Sequence, residues 1–459
     1  MPPRGERPSA RIGRPMTDPA MHLRPVEGRR GNVFVVGYDE HQHRHVERLD
    51  PDSHFTFHTL IPSSALRRVS EIPIARLLEE AEATLDRFGE PVDAIVSFMD
   101  FPGIEIASLL AARRNLAGPS LEAVLKCNHK LWERRLQAQV LPETTPRFAA
   151  VDPFDDGALA ELEDRIPYPF WIKPFNGYAS YLGFRIDEPS DALHALPIVR
   201  NDIDRLAAPL EYLMELAHMP EDLRALGGRC LIAEEIISGK QCTLEGYVCR
   251  GTPRIFGVVD SVREANGVSF ARYEYPSRLP DELQDRMVRI AEQLIRHLGF
   301  DDGAFNIEFY SDSLRNCLWV LEVNPRLSQS HLELFENVDG ASHQKAAIEV
   351  ALGRVPDMPR GHGEHPYAAK FFLRAWEDAR ITRVPGPSEL RHIEREVPGT
   401  SILLRVEENT RLSDVPDQDS YSYELAWIWV GGQSREALME KYRVVVERLD
   451  IRSEPPEPT

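Results

Sequence analysis

An α/β protein of about three domains is what the sequence predicts, and three observations predict it. The chain has 459 residues, roughly three times the ~150 of a typical domain. From Asn32 onward, short β-branched runs alternate with polar or amphipathic stretches, the pattern of a parallel sheet with crossover helices. Further along, FNIEFYSDSLRNCLWVLEVNPR (305–326) has two strand-like runs about a polar turn, which is a hairpin.

Composition narrows the class. The apolar share of 42% suits a globular chain, and no run approaches 18 uninterrupted apolar residues, so no membrane span is expected. Lys plus Arg against Asp plus Glu gives 54 − 73 = −19, which opposes nucleic acid or an anionic membrane as a general partner. Five scattered cysteines without a C-x-x-C pair argue for a reducing, cytoplasmic setting and against a disulfide scaffold or structural zinc. Only seven lysines stand beside 47 arginines, so each lysine is informative.

Taken in order, residues 1–30 are rich in Pro, Gly and Arg and read as a disordered extension without a signal-peptide core. Strands are expected at 32–38, 54–61 and 92–98, with an amphipathic helix at about 74–88, so residues 31–120 form a Rossmann-like domain. Its lone Gly37 does not make a dinucleotide fingerprint. Residues 121–357 form the central domain, with strands at 170–175, 229–237, 241–249, 254–262, 303–310 and 317–325 and longer helices at about 189–216 and 281–298. Residues 358–459 form a C-terminal α/β closing region, with strands near 367–374 and 423–430 and a helix from Ser434.

The hairpin carries the chemistry. Glu322 and Asn324 lie two apart and share a strand face, and the hairpin sets Glu308 beside them. Two carboxylates and an amide oxygen suit Mg²⁺ (or Mn²⁺) with substrate phosphates. The competing reading, solvated acids on an exposed face, is opposed by the Phe, Ile, Leu, Trp and Val around them.

E-V-N-P-R after an acidic strand resembles the metal-binding signature of ATP-grasp enzymes, from about residue 120 to 353. On that resemblance the three parts become a pre-ATP-grasp domain, an ATP-grasp domain with a mobile lid at about 165–250, and a closing domain similar to that of biotin carboxylases. ATP and Mg²⁺ are the implied cofactors. Lys130 and Lys173 match the phosphate-binding lysines. Glu234, Glu235, Ile236 and Ile237 match the adenine edge, and Gln241 stands where the family often has a ribose-binding Glu. The family's glycine-rich phosphate flap is reduced here to Gly177 and Gly183. Glu308, Glu322 and Asn324 match the metal ligands, and Arg326 matches a residue that orients the carboxylate or its acyl phosphate. Cys242 and Cys249 read as packing residues within strands.

The same resemblance implies a carboxylate activated as an acyl phosphate and captured by an amine, so the expected partners are small-molecule acids and amines, of amino-acid type. A homodimer is allowed for, and nucleic acid and membrane are not expected. Biotin carboxylases follow N-P-R with a Q-V-E-H-like run whose Glu activates bicarbonate; here Ser330 replaces that Glu, and His331 is kept. Serine without a base is a poor proton acceptor, so bicarbonate activation is the alternative rather than the leading expectation, beside a non-catalytic ATP-binding regulator. Arg263 and Arg272, with Ser330 and His331, are the candidate substrate contacts.

Overall fold

The protein was analysed as a computed structural model, which describes residues 23–455 apart from 68–70, 156, 159–161, 163–164, 178–180, 416–417 and 419–420. The mixed α/β fold is as the sequence predicts. A parallel three-stranded sheet, ordered β2-β1-β3, comes first: β1 (Gly31–Tyr38), β2 (Phe55–Pro62) and β3 (Ala94–Ser97). All eight residues of β1 are buried, as a central parallel strand covered on both faces requires.

Part of the expected N-terminal extension, 23–30, is attached to the fold. Residues 1–22 lie outside the described residues. Leu23 is buried, its backbone N–H donates to Leu49, and the Arg24 guanidinium sits 2.8 Å from the fully buried Glu349 carboxylate. A buried charge that needs its partner fixes this stretch.

A small antiparallel sheet follows: β4 (Phe148–Val151), β5 (Phe170–Pro174), β6 (Phe184–Ile186) and β7 (Leu231–Glu235), in the order β4-β7-β5-β6. The long helix expected at about 189–216 is two helices, Pro189–Asp202 and Asp204–Leu216, broken at Ile203, and a short one, Glu221–Leu226, follows before β7.

The rest is built on one eight-stranded antiparallel sheet. It uses β8 (Lys240–Cys249), β9 (Thr252–Arg263), β10 (Phe270–Tyr275), β11 (Gly303–Asp312), β12 (Cys317–Asn324), β13 (Tyr367–Ala375), β15 (Thr400–Leu404) and β16 (Tyr423–Gly432). The order is β12-β11-β8-β9-β10-β13-β16-β15. A two-stranded ribbon pairs β14 (Arg380–Arg383) with β17 (Arg452–Glu454). The C-terminal strands thus extend the central sheet through the β10–β13 pairing.

Alternation decides which face of that sheet is dry. Helix Asp281–Leu298 buries Met287, Ile290, Ala291, Leu294, Ile295 and Leu298, a 3.6-residue stripe, and ends on Gly299 in the left-handed region at φ 70°. The stripe packs in one core with Phe305, Ile307 and Phe309 of β11. Glu308 and Tyr310, between and beyond them, therefore point to the opposite face.

Candidate active site

That opposite face is continuous across the sheet. Pairing sets Glu308 against Glu322 and Asn306 against Asn324 on the hairpin, Tyr310 against Gln241, Asn306 against Glu245, Tyr273 against both Ser261 and Lys370, and Lys370 against Trp429. Residues paired across a ladder share a face, so the hairpin carboxylates and Lys370 belong to one surface.

At the hairpin end the charges are crowded. Burial, and then the charge of Glu322, pushes the Glu308 carboxyl up to about 7. Burial would raise Glu322 too, but Lys130 and Lys173 outweigh it and hold Glu322 at about 2. Lys130, first residue of helix Lys130–Val140, puts Nζ 3.1 Å from Glu322 Oε2. Lys173 of β5 meets Glu234 of β7 at 2.5 Å, and Arg134 donates from Nε to the other oxygen of Glu234 at 2.6 Å. Burial of Glu234 is overcome by Arg134, then Lys173, leaving its carboxyl at about 2.

Glu308 accepts from Gln241 Nε2 at 2.6 Å, and Gln241 Oε1 in turn accepts from Arg263 and, at 3.1 Å, from Tyr310. Arg326 donates to Asp100 Oδ2 at 2.5 Å and to Asn324 Oδ1 at 3.2 Å. Asn324 is further held by its own amide N–H on Asn306 Oδ1 at 3.0 Å. Two carboxylates that repel each other need a cation to be ionised together. Glu308, Glu322 and the Asn324 oxygen are the hard donors that Mg²⁺ takes beside water and phosphate. Among the described residues no group of three or more His, Cys, Asp or Glu forms a metal site, so the fit is to a cation that completes its shell from outside the protein.

Beside this cluster lies a solvent-open cleft of about 410 Å³ between the small and large sheets. Trp171, Ile237 and Leu321 give it apolar walls, and Lys173, Glu234 and Glu235 charge it. Glu234 and Glu235 turn opposite ways, as neighbours on a strand must; Glu235 pairs with Arg147 at 3.0 Å. Ile236 and Gln241 are not among the lining residues, and Gln241 faces Glu308 instead. The flap positions 178–180, between Gly177 and Gly183, lie outside the described residues.

The substrate candidates divide. Arg263 joins the Glu308 network through Gln241. Arg272 does not: it lies in β10 next to Tyr273, hence on the other face, with its Nε 2.6 Å from Glu274, which also binds Arg278 and Arg435. The segment, for which no strand was expected, is a strand, and alternation turns Arg272 away. His331 Nδ1 lies 2.7 Å from Glu245, a fully buried carboxylate that Ser328 N–H and His343 also approach. His331 makes no capping bond to the helix it precedes. Ser330 Oγ accepts from Lys370 Nζ at 3.0 Å.

Four charged groups escaped the sequence reading. Arg134 lies one helical turn beyond Lys130, a spacing that puts both on one face. Asp100 follows the C-terminal end of β3, where parallel sheets place their ligand groups. Glu245 sits in an apolar strand, as Glu308 does. Lys370, another of the rare lysines, also lies in a strand.

Residues 166–332 match the ATP-grasp domain. Among solved structures it is similar to an L-amino acid ligase from Bacillus licheniformis, at 16% identity and TM-score 0.68, over 93% of this chain and 99% of that one. Phosphoribosylglycinamide synthetase from Anaerococcus prevotii follows at 13% identity and TM-score 0.62, over 92% and 100%. A biotin carboxylase from Campylobacter jejuni in a β-γ-ATP complex matches at 17% identity and TM-score 0.59, over 92% and 86%. No helix among the described residues is long and apolar enough to cross a membrane.

Proposed function

We propose that the protein is an ATP-dependent ligase that activates a carboxylate as an acyl phosphate for capture by an amine, of amino-acid type, with release of ADP and phosphate. One observation carries the reading. The pairs Lys130–Glu322 and Lys173–Glu234 form a single, largely buried but solvent-reached charge cluster, in which Lys173 also acts on Glu322 and Lys130 on Glu234, beside a cleft with apolar walls. Such a cluster suits a triphosphate and its metal, because phosphoryl transfer depends on positioning and charge neutralisation.

In this reading Trp171 and Ile237 would hold the base in the cleft, and Lys130 and Lys173 would turn from their carboxylates to the phosphates. Mg²⁺ held by Glu308, Glu322 and Asn324 would neutralise the charge that builds on the transferred phosphoryl group. Gln241 and Arg263 hold Glu308 in place for that role. Arg326, fixed by Asp100, offers a planar fork to the substrate carboxylate, which arrives ionised and needs no base. The overall likeness to an L-amino acid ligase favours amino acids as both partners.

The test is to incubate protein with ATP, Mg²⁺ and pooled amino acids and to follow ADP, phosphate and new product masses. ATP turnover that depends on bicarbonate, with none from any acid and amine pair, would overturn the reading in favour of bicarbonate activation.

A further inference from the structure

An amine that attacks an acyl phosphate must shed a proton, and among the described residues at the hairpin end of the site none is free to take it. Arg326 is always protonated, and of the described carboxylates there Glu322, Glu234 and Asp100 are paired with lysines or arginines, while Glu308 would hold the metal in the ligase reading. The opposite end of the same sheet face holds a different kind of group. Lys370 is fully buried on β13, and no carboxylate lies within 4.0 Å of it among the described residues. Its Nζ stands over the Trp427 ring at 3.4 Å, near Phe372 at 4.6 Å and Trp429 at 5.0 Å, and its hydrogen bond goes to Ser330 Oγ.

Ser330, unlike Lys370, is only partly buried. It ends the short segment that begins at Arg326, and this segment is pinned along its length. Asp100 holds Arg326, the Phe98 carbonyl accepts from Gln329 at 2.7 Å, Glu245 holds Ser328 N–H and His331, and Lys370 holds Ser330. The carboxylate-orienting arginine and the serine hydroxyl thus sit on one fixed rim, with the lysine directly behind the hydroxyl.

We propose that Ser330 and Lys370 form a proton relay for the acceptor amine, with the Ser330 hydroxyl touching the substrate and Lys370 behind it as the final acceptor. The inference rests on the ligase reading above. The amine lone pair forms the C–N bond to the acyl carbon, and the C–O bond to phosphate breaks, its electrons leaving with phosphate. The surplus proton on nitrogen passes to Ser330 Oγ as the Ser330 proton passes to Lys370 Nζ, and Lys370 returns it to solvent after product leaves.

The surroundings suit both states of the lysine. Burial, the largest effect, pulls Lys370 well below the usual amine range, and Arg405 and Arg374 act in the same direction. His41, stacked on Trp429, and His331 are the other basic groups facing it, and both are themselves held low by burial. Glu424 and Glu333 pull the other way, and the three ring faces can hold the ammonium once it forms.

Hydroxylamine gives the separating experiment, because it is a weakly basic nucleophile that is already unprotonated at neutral pH and needs no base. Wild type, Lys370→Met, Lys370→Arg and Ser330→Ala are each given MgATP and pooled L-amino acids, with and without hydroxylamine. Amide formation is expected to fall about 100-fold in all three variants at neutral pH, the usual scale for loss of general base catalysis. Hydroxamate formation by the two Lys370 variants should stay within about twofold of wild type, showing that they are folded and still activate the acid. The amide deficit should shrink as pH rises toward the amine's own pKa. Equal loss of amide and hydroxamate would make the pair structural, and unchanged amide formation would remove the relay; either result overturns the proposal. If wild type yields neither product, the ligase reading fails and the relay falls with it.

Discussion

Lys130 Nζ stands 3.1 Å from Glu322 Oε2, on a carboxylate that faces Glu308 directly across the hairpin. The lysine supplies part of the positive charge that two facing carboxylates require, and a divalent cation would supply it more completely.

Removing a ligand should therefore abolish turnover without unfolding the sheet. Glu322→Gln and Asn324→Ala are expected to lower Mg²⁺-dependent phosphate release from ATP by at least about 100-fold, with melting temperatures within a few degrees of wild type. Full turnover by the double variant would remove the metal assignment.

The products should be ADP and phosphate. Lys130 and Lys173 both act on Glu322, and in the ligase reading they would hold the terminal phosphates beside the metal ligands, with the γ-phosphate turned to the acid. Chromatography of the spent nucleotide decides it: AMP and pyrophosphate in step with product would mean adenylation instead.

The elements that were legible in the sequence are those with a strong local signal. Helix Asp281–Leu298 has a full apolar stripe and runs over the residues expected, and the hairpin was marked by its polar turn. β10 was missed although FARYEY alternates charged with aromatic residues as a half-buried strand does, and its pairing with β9 and β13 makes it one. Missing that strand misplaced Arg272. At the site, Lys130, Lys173, Glu308, Glu322, Asn324 and Arg326 do come together, since each stands in a recognisable motif. Asp100 and Lys370 come from segments distant in sequence, and only tertiary pairing brings them in, whereas Arg134 could have been read from its place one helical turn beyond Lys130. Glu245 could have been found by the argument applied to Glu308, an acid among apolar strand residues.

The small sheet should become more protected when nucleotide binds. Lys173 and Glu234 on β5 and β7 line the cleft together with Leu321 of the large sheet, so a bound nucleotide bridges the two sheets and slows their separation. Hydrogen exchange is expected to slow in 170–177 and 231–237 on addition of an ATP analogue with Mg²⁺. Unchanged exchange there, with binding established by calorimetry, would contradict a lid that closes on nucleotide.

A last prediction concerns stability rather than chemistry. Glu105, on helix Gly103–Arg113, is fully buried; Asn128 donates to its Oε1 at 2.6 Å, and its Oε2 has no partner among the described residues. Burial outweighs the Asn128 bond and raises the carboxyl from 4.5 to about 7. Below pH 4.5 the group is protonated both folded and unfolded and has no effect. Between 4.5 and about 7 the unfolded chain ionises while the folded one resists, so stability falls as pH rises through that window and levels off above it. The difference corresponds to about 3 kcal/mol at most. Glu105→Gln keeps an acceptor for Asn128 and cannot ionise, so it should melt higher than wild type at pH 8, with the gap narrowing steadily toward pH 5. A gap that is independent of pH, or a variant that melts lower at pH 8, would show that Glu105 is held as a carboxylate by a partner outside the described residues.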